Sequence, residues 1–412
     1  MPTDRANWSD NFTFAAASFH QPRSVAEVQG IVARSDRVKA VGTRHSFVPV
    51  ADSPGGALVD LSLLAPEVTI TPDGRTASVT AGTSYGVLAQ ELERWGYALS
   101  NMASLPHISV GGGTATGTHG SSDRTGILAT AISALELVTA DGSLITVDRS
   151  DPDLAAMAVG LGAFGIMTRV HLDVEPSYRM RQDAYLNAPW DTVLASLDDV
   201  MASAYSVNLG GIFGTDTLRQ ILQKVRLDED PPDAPPVFFG GTWTPDEELP
   251  PRPDAFPRGG IAGPWHERLP HFRPEGAPSL GGDELQSEYF VDRADGPAAL
   301  EALRAIGHLI DPHLWGTEIR TTIADDLWLS PAYGRDTLCI GFTWRRHLTE
   351  VPALLPTVEE ALLPFEVRPH WGKLFHMTDL ASRFPRLSDF VNLAERYDPD
   401  GKFWSPFLDR LI

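Results

Sequence analysis

The sequence predicts an α+β protein of two domains. Three observations carry this. The 412 residues give enough chain for two cores of ordinary size. The first 175 residues alternate short strand and helix patterns. From about 178 to 374 the texture changes, with fewer periodic segments and longer strand candidates.

In chain order, Ser24-Val25-Ala26-Glu27 reads as a capping box, and Val25, Val28, Ile31 and Val32 follow at helical spacing. An apolar strand through Val38, Ala40 and Val41 stops at Gly42. Val68-Thr69-Ile70 and Ala77-Ser78-Val79 flank Pro72-Asp73-Gly74 as a hairpin. A helix is expected over about Tyr85 to Trp95. A second hairpin sets Ala134 to Val138 against Leu144 to Val147 across Asp141-Gly142. Ile166 to Val174 alternates as a strand and is closed by Pro176. Beyond 178, strands are expected at Ser287 to Val291, Gly316 to Thr322 and Leu338 to Trp344. Helices are expected at Ala298 to Ile310 and Val358 to Leu363, a mix that suggests an antiparallel sheet with helices on one side. Residues 228–280 are rich in proline, but Phe238, Phe239, Trp243, Phe256, Trp265 and Phe272 argue for a packed covering excursion, because disordered tracts are poor in aromatics. A last helix lies near Leu387 to Tyr397.

Composition excludes several classes. An apolar fraction of 42% and a charged fraction of 21% are those of a globular protein in water. No run of eighteen apolar residues exists, and Met1-Pro2-Thr3-Asp4-Arg5 lacks a secretory layout. The net charge of −21, with acid spread along the chain and only short runs such as Asp228-Glu229-Asp230, works against nucleic acid and anionic membranes. Cys339 stands alone, so no internal disulfide or cysteine metal cluster is possible, which fits a cytoplasmic protein. No metal site is expected: twelve residues including several glycines follow His107 up to His119, with no carboxylate at ligand spacing.

Gly160-Leu161-Gly162-Ala163-Phe164-Gly165 matches G-x-G-x-x-G, yet a helical stretch (Asp153 to Val159) precedes it and a strand follows. A dinucleotide turn needs the reverse order, so Gly160 reads as a helix C-cap. Two other segments are more informative. Val41-Gly42-Thr43-Arg44-His45-Ser46-Phe47 leaves a buried strand. Pro106 to Ser121 packs five glycines and several hydroxyls into sixteen residues, suiting a loop whose backbone N–H groups approach a diphosphate.

These two segments resemble the FAD-binding domain of the vanillyl-alcohol-oxidase superfamily, and in detail the alditol oxidases and their aldonolactone-oxidoreductase relatives. Asn7-Trp8, Gly42 to Phe47, Ala103-Ser104-Leu105-Pro106-His107, Thr116-Gly117-Thr118-His119-Gly120, Arg368 to Lys373 and the Asp398-to-Leu408 tail carry the resemblance. Ser405 departs from it, where asparagine is expected. The resemblance implies a flavin domain over 1–177, completed by 375–412, and a substrate domain over 178–374. It implies FAD joined covalently to His45. A neutral imidazole is a competent nucleophile towards an electrophilic methide, and a strand end beside glycine presents it. It also implies cofactor contacts from Val41, Gly42, Thr43, Arg44, Ser46, Ala103, Ser104, Ser109, Val110, Gly111, Gly113, Thr114, Thr116, Gly117, His119, Gly165, Ile166 and His370.

Around the substrate the resemblance implies Ser104, Gln286, Glu318, Arg320, Thr343 and Lys373. Glu318 and Arg320 are i and i+2 in a strand and leave one face, as do Gly341 and Thr343. The expected reaction is oxidation of a terminal alcohol of a small polyol by FAD, with O2 reduced to H2O2. Lys373 takes the hydroxyl proton, its charge disfavoured by nearby Arg320, and Glu318 and Arg320 complete the catalytic group. Gly341 stands where the alditol oxidases carry histidine, so a larger cavity is expected there. An aldonolactone oxidase or dehydrogenase is the alternative, and a non-catalytic flavoprotein a more distant one. A monomer is expected.

Overall fold

The computed structural model describes residues 5–228, 231, 233–277, 279 and 283–411; the expectations for Met1 to Asp4 and for Glu229-Asp230 lie outside them. Ser24 caps the Val25–Arg34 helix, its Oγ accepting the Glu27 N–H at 3.2 Å, and Val28 and Val32 are buried beneath. Glu27 reaches one residue further back than a capping box requires and accepts from the Arg23 N–H at 2.8 Å. Val38–Val41 pairs in parallel with Ala57–Asp60, which pairs in parallel with Ser18–His20. Both expected hairpins form within a five-stranded antiparallel sheet ordered Val68–Ile70, Thr76–Thr80, Ile166–Asp173, Ile132–Val138, Leu144–Asp148.

Two expectations in this half need correction. The helix before Gly160 covers only Leu154–Met157, and the left-handed residues are Leu161 (φ 50°) and Gly162 (φ 68°), so Gly160 is not its cap. The turn there is set by Lys39, whose buried Nζ donates to the carbonyls of Leu161 (3.0 Å), Gly162 (3.3 Å) and Phe403 (3.0 Å). The glycine-rich segment is also not an open loop: Val110–Ala115 is a short helix capped by Ser109. The carbonyls of Thr83 and Ala81 accept its first N–H groups, Val110 at 2.8 Å and Gly111 at 2.9 Å, which offsets the poor helix propensity of three glycines.

The second part is built on a ten-stranded antiparallel sheet. Across it run Val237–Phe238, Gly241–Trp243, Arg179–Leu186, Gln220–Arg226, Ser206–Gly211, Leu314–Thr322, Thr337–Arg345, Glu284–Asp292 and Arg368–Pro369, with Ala262–Pro264 pairing beside Arg179–Leu186. One face packs helices. Gly296, opening the Gly296–Ala305 helix, lies so close to the sheet that a Cβ would come within 3.0 Å of Leu338. The helix expected to run to Ile310 breaks at Ile306 and resumes as Gly307–Ile310, where Gly307 approaches the backbone of Phe213 and Gly214.

The other face carries the alternate residues. Pairing aligns Gln220, Gly210, Glu318, Gly341 and Glu288 in one row across five strands. Three strands of this sheet, Arg179–Leu186, Ser206–Gly211 and Gln220–Arg226, have no counterpart among the expected elements. The face they turn to the site holds Gln182, Asn208 and Lys224, all buried; in Arg179–Leu186 and Gln220–Arg226 apolar residues fall on both faces and blur the alternation that marks a strand, whereas Ser206–Gly211 does alternate, with Val207 and Leu209 on the opposite face. The proline-rich excursion folds as a cover, with Phe256, Trp265 and Phe272 buried. Among the described residues no helix is long and apolar enough to cross a membrane.

Candidate active site

A cavity of about 230 Å³ lies between the Gly42–Ser46 turn, the 109–119 segment, the Gly160–Gly165 turn and the polar face of the large sheet. It is lined by Val41, Gly42, Thr43, Arg44, His45, Ser46, Ala103, Ser104, Ser109, Gly111, Gly113, Thr116, His119, Gly165 and His370 of the expected cofactor set. Val110, Thr114, Gly117 and Ile166 do not line it; they are buried behind its wall, Gly117 against Pro331. The whole expected substrate set, Ser104, Gln286, Glu318, Arg320, Thr343 and Lys373, faces the same cavity.

After Gly42 the chain turns through a strained residue: Arg44 has φ 64°, in the left-handed region that side chains rarely adopt. The Trp8 N–H to Arg44 carbonyl bond (2.9 Å) and the Phe47 N–H to Gly372 carbonyl bond (2.7 Å) hold this turn from both sides. Between them His45 is half-buried, with its Nδ1 shut off from solvent and without a hydrogen-bond partner among the described residues. Burial, aided by His107, pushes its pKa down to about 3, so the ring is neutral with a lone pair available. An unpartnered, neutral imidazole on the wall of a long cavity fits a flavin. The expected role of the 110–113 N–H groups is corrected, however. Val110 and Gly111 donate to Thr83 and Ala81, Gly112 to Ser109 Oγ (3.3 Å) and Gly113 to the Ser109 carbonyl (2.8 Å). The glycines serve close packing: a Cβ at Gly113 would come within 3.0 Å of Ile108 and 3.2 Å of Tyr85.

At the sheet end the charges interlock. Ser104 Oγ donates to Glu318 Oε2 (3.3 Å) and lies 3.4 Å from Arg320 Nη1. His271 Nδ1 is 3.0 Å from Glu318 Oε1. Arg320 Nη2 meets Glu288 Oε1 at 2.6 Å, and Lys373 Nζ meets Glu288 Oε2 at 2.8 Å. Burial works to raise the Glu318 carboxyl, and Arg320 with His271 outweighs it, holding the group well below the usual carboxylate range. Burial, then Lys224, pushes His271 down to about 4.

Two expectations fall here. Lys373 does not face Arg320 as one bare cation facing another, because the Glu288 carboxylate lies between them. Nor does Gly341 open space. A Cβ there would lie 3.0 Å from Glu288 Oε1, so the room of the absent imidazole holds this carboxylate, and Gly341 does not line the cavity. Glu288 carries no motif of its own, although as i+2 from Gln286 it shares that residue's strand face. His271 and Lys39 carried no signal, one lying in the irregular excursion and the other in a strand that reads as apolar.

The family described as FAD binding domain matches residues 16–148, and the family described as D-arabinono-1,4-lactone oxidase matches residues 284–411. The chain is 40% identical to an alditol oxidase from a Streptomyces species, with all of both chains covered. It is 27% identical to an L-gulono-1,4-lactone dehydrogenase of Mycobacterium tuberculosis, over 99% of this chain and 98% of that one. It is 26% identical to an L-gulonolactone oxidase of Mus musculus, over 98% and 97%. Among solved structures, a solvent-stable cholesterol oxidase superposes with a TM-score of 0.80 at 17% identity, covering 98% of this chain and 96% of that one. A cholesterol oxidase from B. sterolicum does so with a TM-score of 0.80 at 15% identity and the same coverage. At such identity this likeness speaks for the fold alone.

Proposed function

The chain belongs to the alditol-oxidase family of FAD-dependent oxidoreductases, and on that premise we propose that it oxidises a terminal primary alcohol of a small polyol to the aldehyde, O2 being reduced to H2O2. The observation that carries this is the charge-balanced group of Glu288, Glu318, Arg320 and Lys373, gathered with Ser104 and Thr343 on the wall of the same cavity that His45 lines. A polyol presents several hydroxyls, each both donor and acceptor. Carboxylate, guanidinium, ammonium and hydroxyl side chains on one face satisfy them without demanding a net charge on the substrate. The reaction removes a hydride from the carbinol carbon and a proton from its oxygen. Bound FAD supplies the two-electron chemistry. The proton goes to Lys373, with Glu318 and Arg320 orienting the hydroxyl.

The cofactor-holding group in this reading is the set of expected residues that line the cavity, with His45 as the covalent attachment point. The domains are 1–177 with 375–412 for the flavin and 178–374 for the substrate. The protein acts as a monomer in the cytoplasm, which sizing and cell fractionation would test. An aldonolactone oxidase or dehydrogenase is the second reading, favoured by the match of 284–411, the segment bearing Gln286, Glu318, Arg320, Thr343 and Lys373, to the lactone-oxidase family. An oxygen-electrode screen separates the two. Peroxide released on adding xylitol or sorbitol, and not on adding a 1,4-lactone, supports the first; the reverse pattern overturns it.

A further inference from the structure

Glu288 is 1% exposed, yet its two oxygens meet three basic groups: Arg320 Nη2 at 2.6 Å, Lys373 Nζ at 2.8 Å and His119 Nε2 at 3.3 Å. Taking a carboxylate out of water costs several kcal/mol unless cations compensate. Here burial works to raise the carboxyl, and Lys373, Arg320 and His119 outweigh it, leaving Glu288 ionised. The backbone fixes it further, its carbonyl accepting the His370 N–H at 3.0 Å, three residues before Lys373. Its place in the row also depends on its neighbour, since any Cβ at Gly341 would press on Oε1 at 3.0 Å and on the Glu318 carbonyl at 3.2 Å.

We propose that Glu288 is the positioning residue of the polyol site: it fixes Arg320 and Lys373 at the cavity wall and, as the anion beside Lys373, governs how readily Lys373 takes up the hydroxyl proton, its carboxylate occupying the room that a side chain at 341 would take. The inference rests on the reading of Lys373 as proton acceptor. Only an unprotonated amine accepts the proton that the O–H bond releases. An anion 2.8 Å away opposes that form, and the guanidinium beyond it favours it. The other charged or titratable groups facing Glu288 or its cations are His119, Cys339 and His370, with Glu318 beside Arg320 and Lys373. None of them stands between it and Lys373.

Competitive acetylation of the FAD-loaded protein, read by mass spectrometry at the Lys373 peptide, tests this without any substrate. In Glu288→Gln, Arg320 and Lys373 face each other with no anion between. Labelling at a fixed pH should rise on the order of tenfold or more, the effect of losing one close opposite charge. The pH limb of polyol-driven flavin bleaching should move to lower pH with it, whereas a merely structural role would lower its amplitude without moving it. Should Glu288→Gln lose its fold, as melting and flavin content report, Gly341→Ala is read in the same way. Unchanged labelling in a folded variant overturns the proposal. Shifted labelling in a protein whose flavin no polyol bleaches upholds the coupling of Glu288 to Lys373 and overturns the polyol reading.

Discussion

At His45, backbone strain and burial act together. Arg44 bends the chain through φ 64°, and burial keeps the adjacent imidazole neutral with an unpartnered nitrogen. If that nitrogen bonds the flavin, acid-precipitated protein stays yellow and His45→Ala releases its flavin into the supernatant; free flavin from the parent protein would sink the assignment. Lys373 makes a different prediction. It pairs with Glu288 on the cavity wall, and Lys373→Ala should slow flavin reduction by a factor on the order of 100 or more while flavin content holds. Stopped-flow bleaching reads the rate, and near-normal reduction would remove Lys373 from the chemistry.

Among the elements, the C-terminal segment is tied by hydrogen bonds rather than by apolar burial alone. Asp398, capping the end of Leu387–Tyr397, accepts from the Lys402 N–H (2.8 Å) and the Phe403 N–H (2.6 Å). Lys402 Nζ donates to the carbonyls of Val32 (2.9 Å) and Ala140 (2.7 Å). The Phe403 carbonyl in turn holds Lys39 on the wall of the cavity. Asp398→Ala removes two charge-assisted bonds and should cost about 2–3 kcal/mol, lowering the melting temperature. A melting curve matching the parent's would show that the tail is held by other contacts.

For the whole molecule, buried histidines set the response to acid. His119, His271 and His370 all have depressed pKa values, with burial the leading cause, and His271 is down to about 4. The unfolded chain therefore binds protons first as the pH falls through about 6.5. Stability is full above that value and declines towards pH 4, by up to about 1.4 kcal/mol per pH unit for each such histidine. Glu288 and Glu318 act further out: their depressed folded pKa values contribute stability above the unfolded carboxylate range that is lost only at stronger acid. Melting temperatures measured from neutral pH downward should fall from about 6.5, with loss already evident by about pH 5. A flat profile over that interval would contradict the burial of these rings.

Local sequence settled the elements whose signals are local. The Ser24 cap, both hairpins and the strand ending at Gly42 follow from turn chemistry and periodicity, and so does the shared face of Glu318 and Arg320. It was the family resemblance that marked His45 and Lys373 for one site. What the sequence could not decide is which alternate residues of distant strands stand side by side. That depends on register, fixed by long-range pairing of segments such as Ser206–Gly211, Leu314–Thr322 and Glu284–Asp292. A strand whose inner face is polar, like Gln220–Arg226 with its buried Lys224, loses the pattern that would announce it and becomes legible only once partners compensate its charge. For the same reason Gly341 read as a gap. Only the pairing of its strand with Glu284–Asp292 shows that the Glu288 carboxylate fills the space a side chain would have taken.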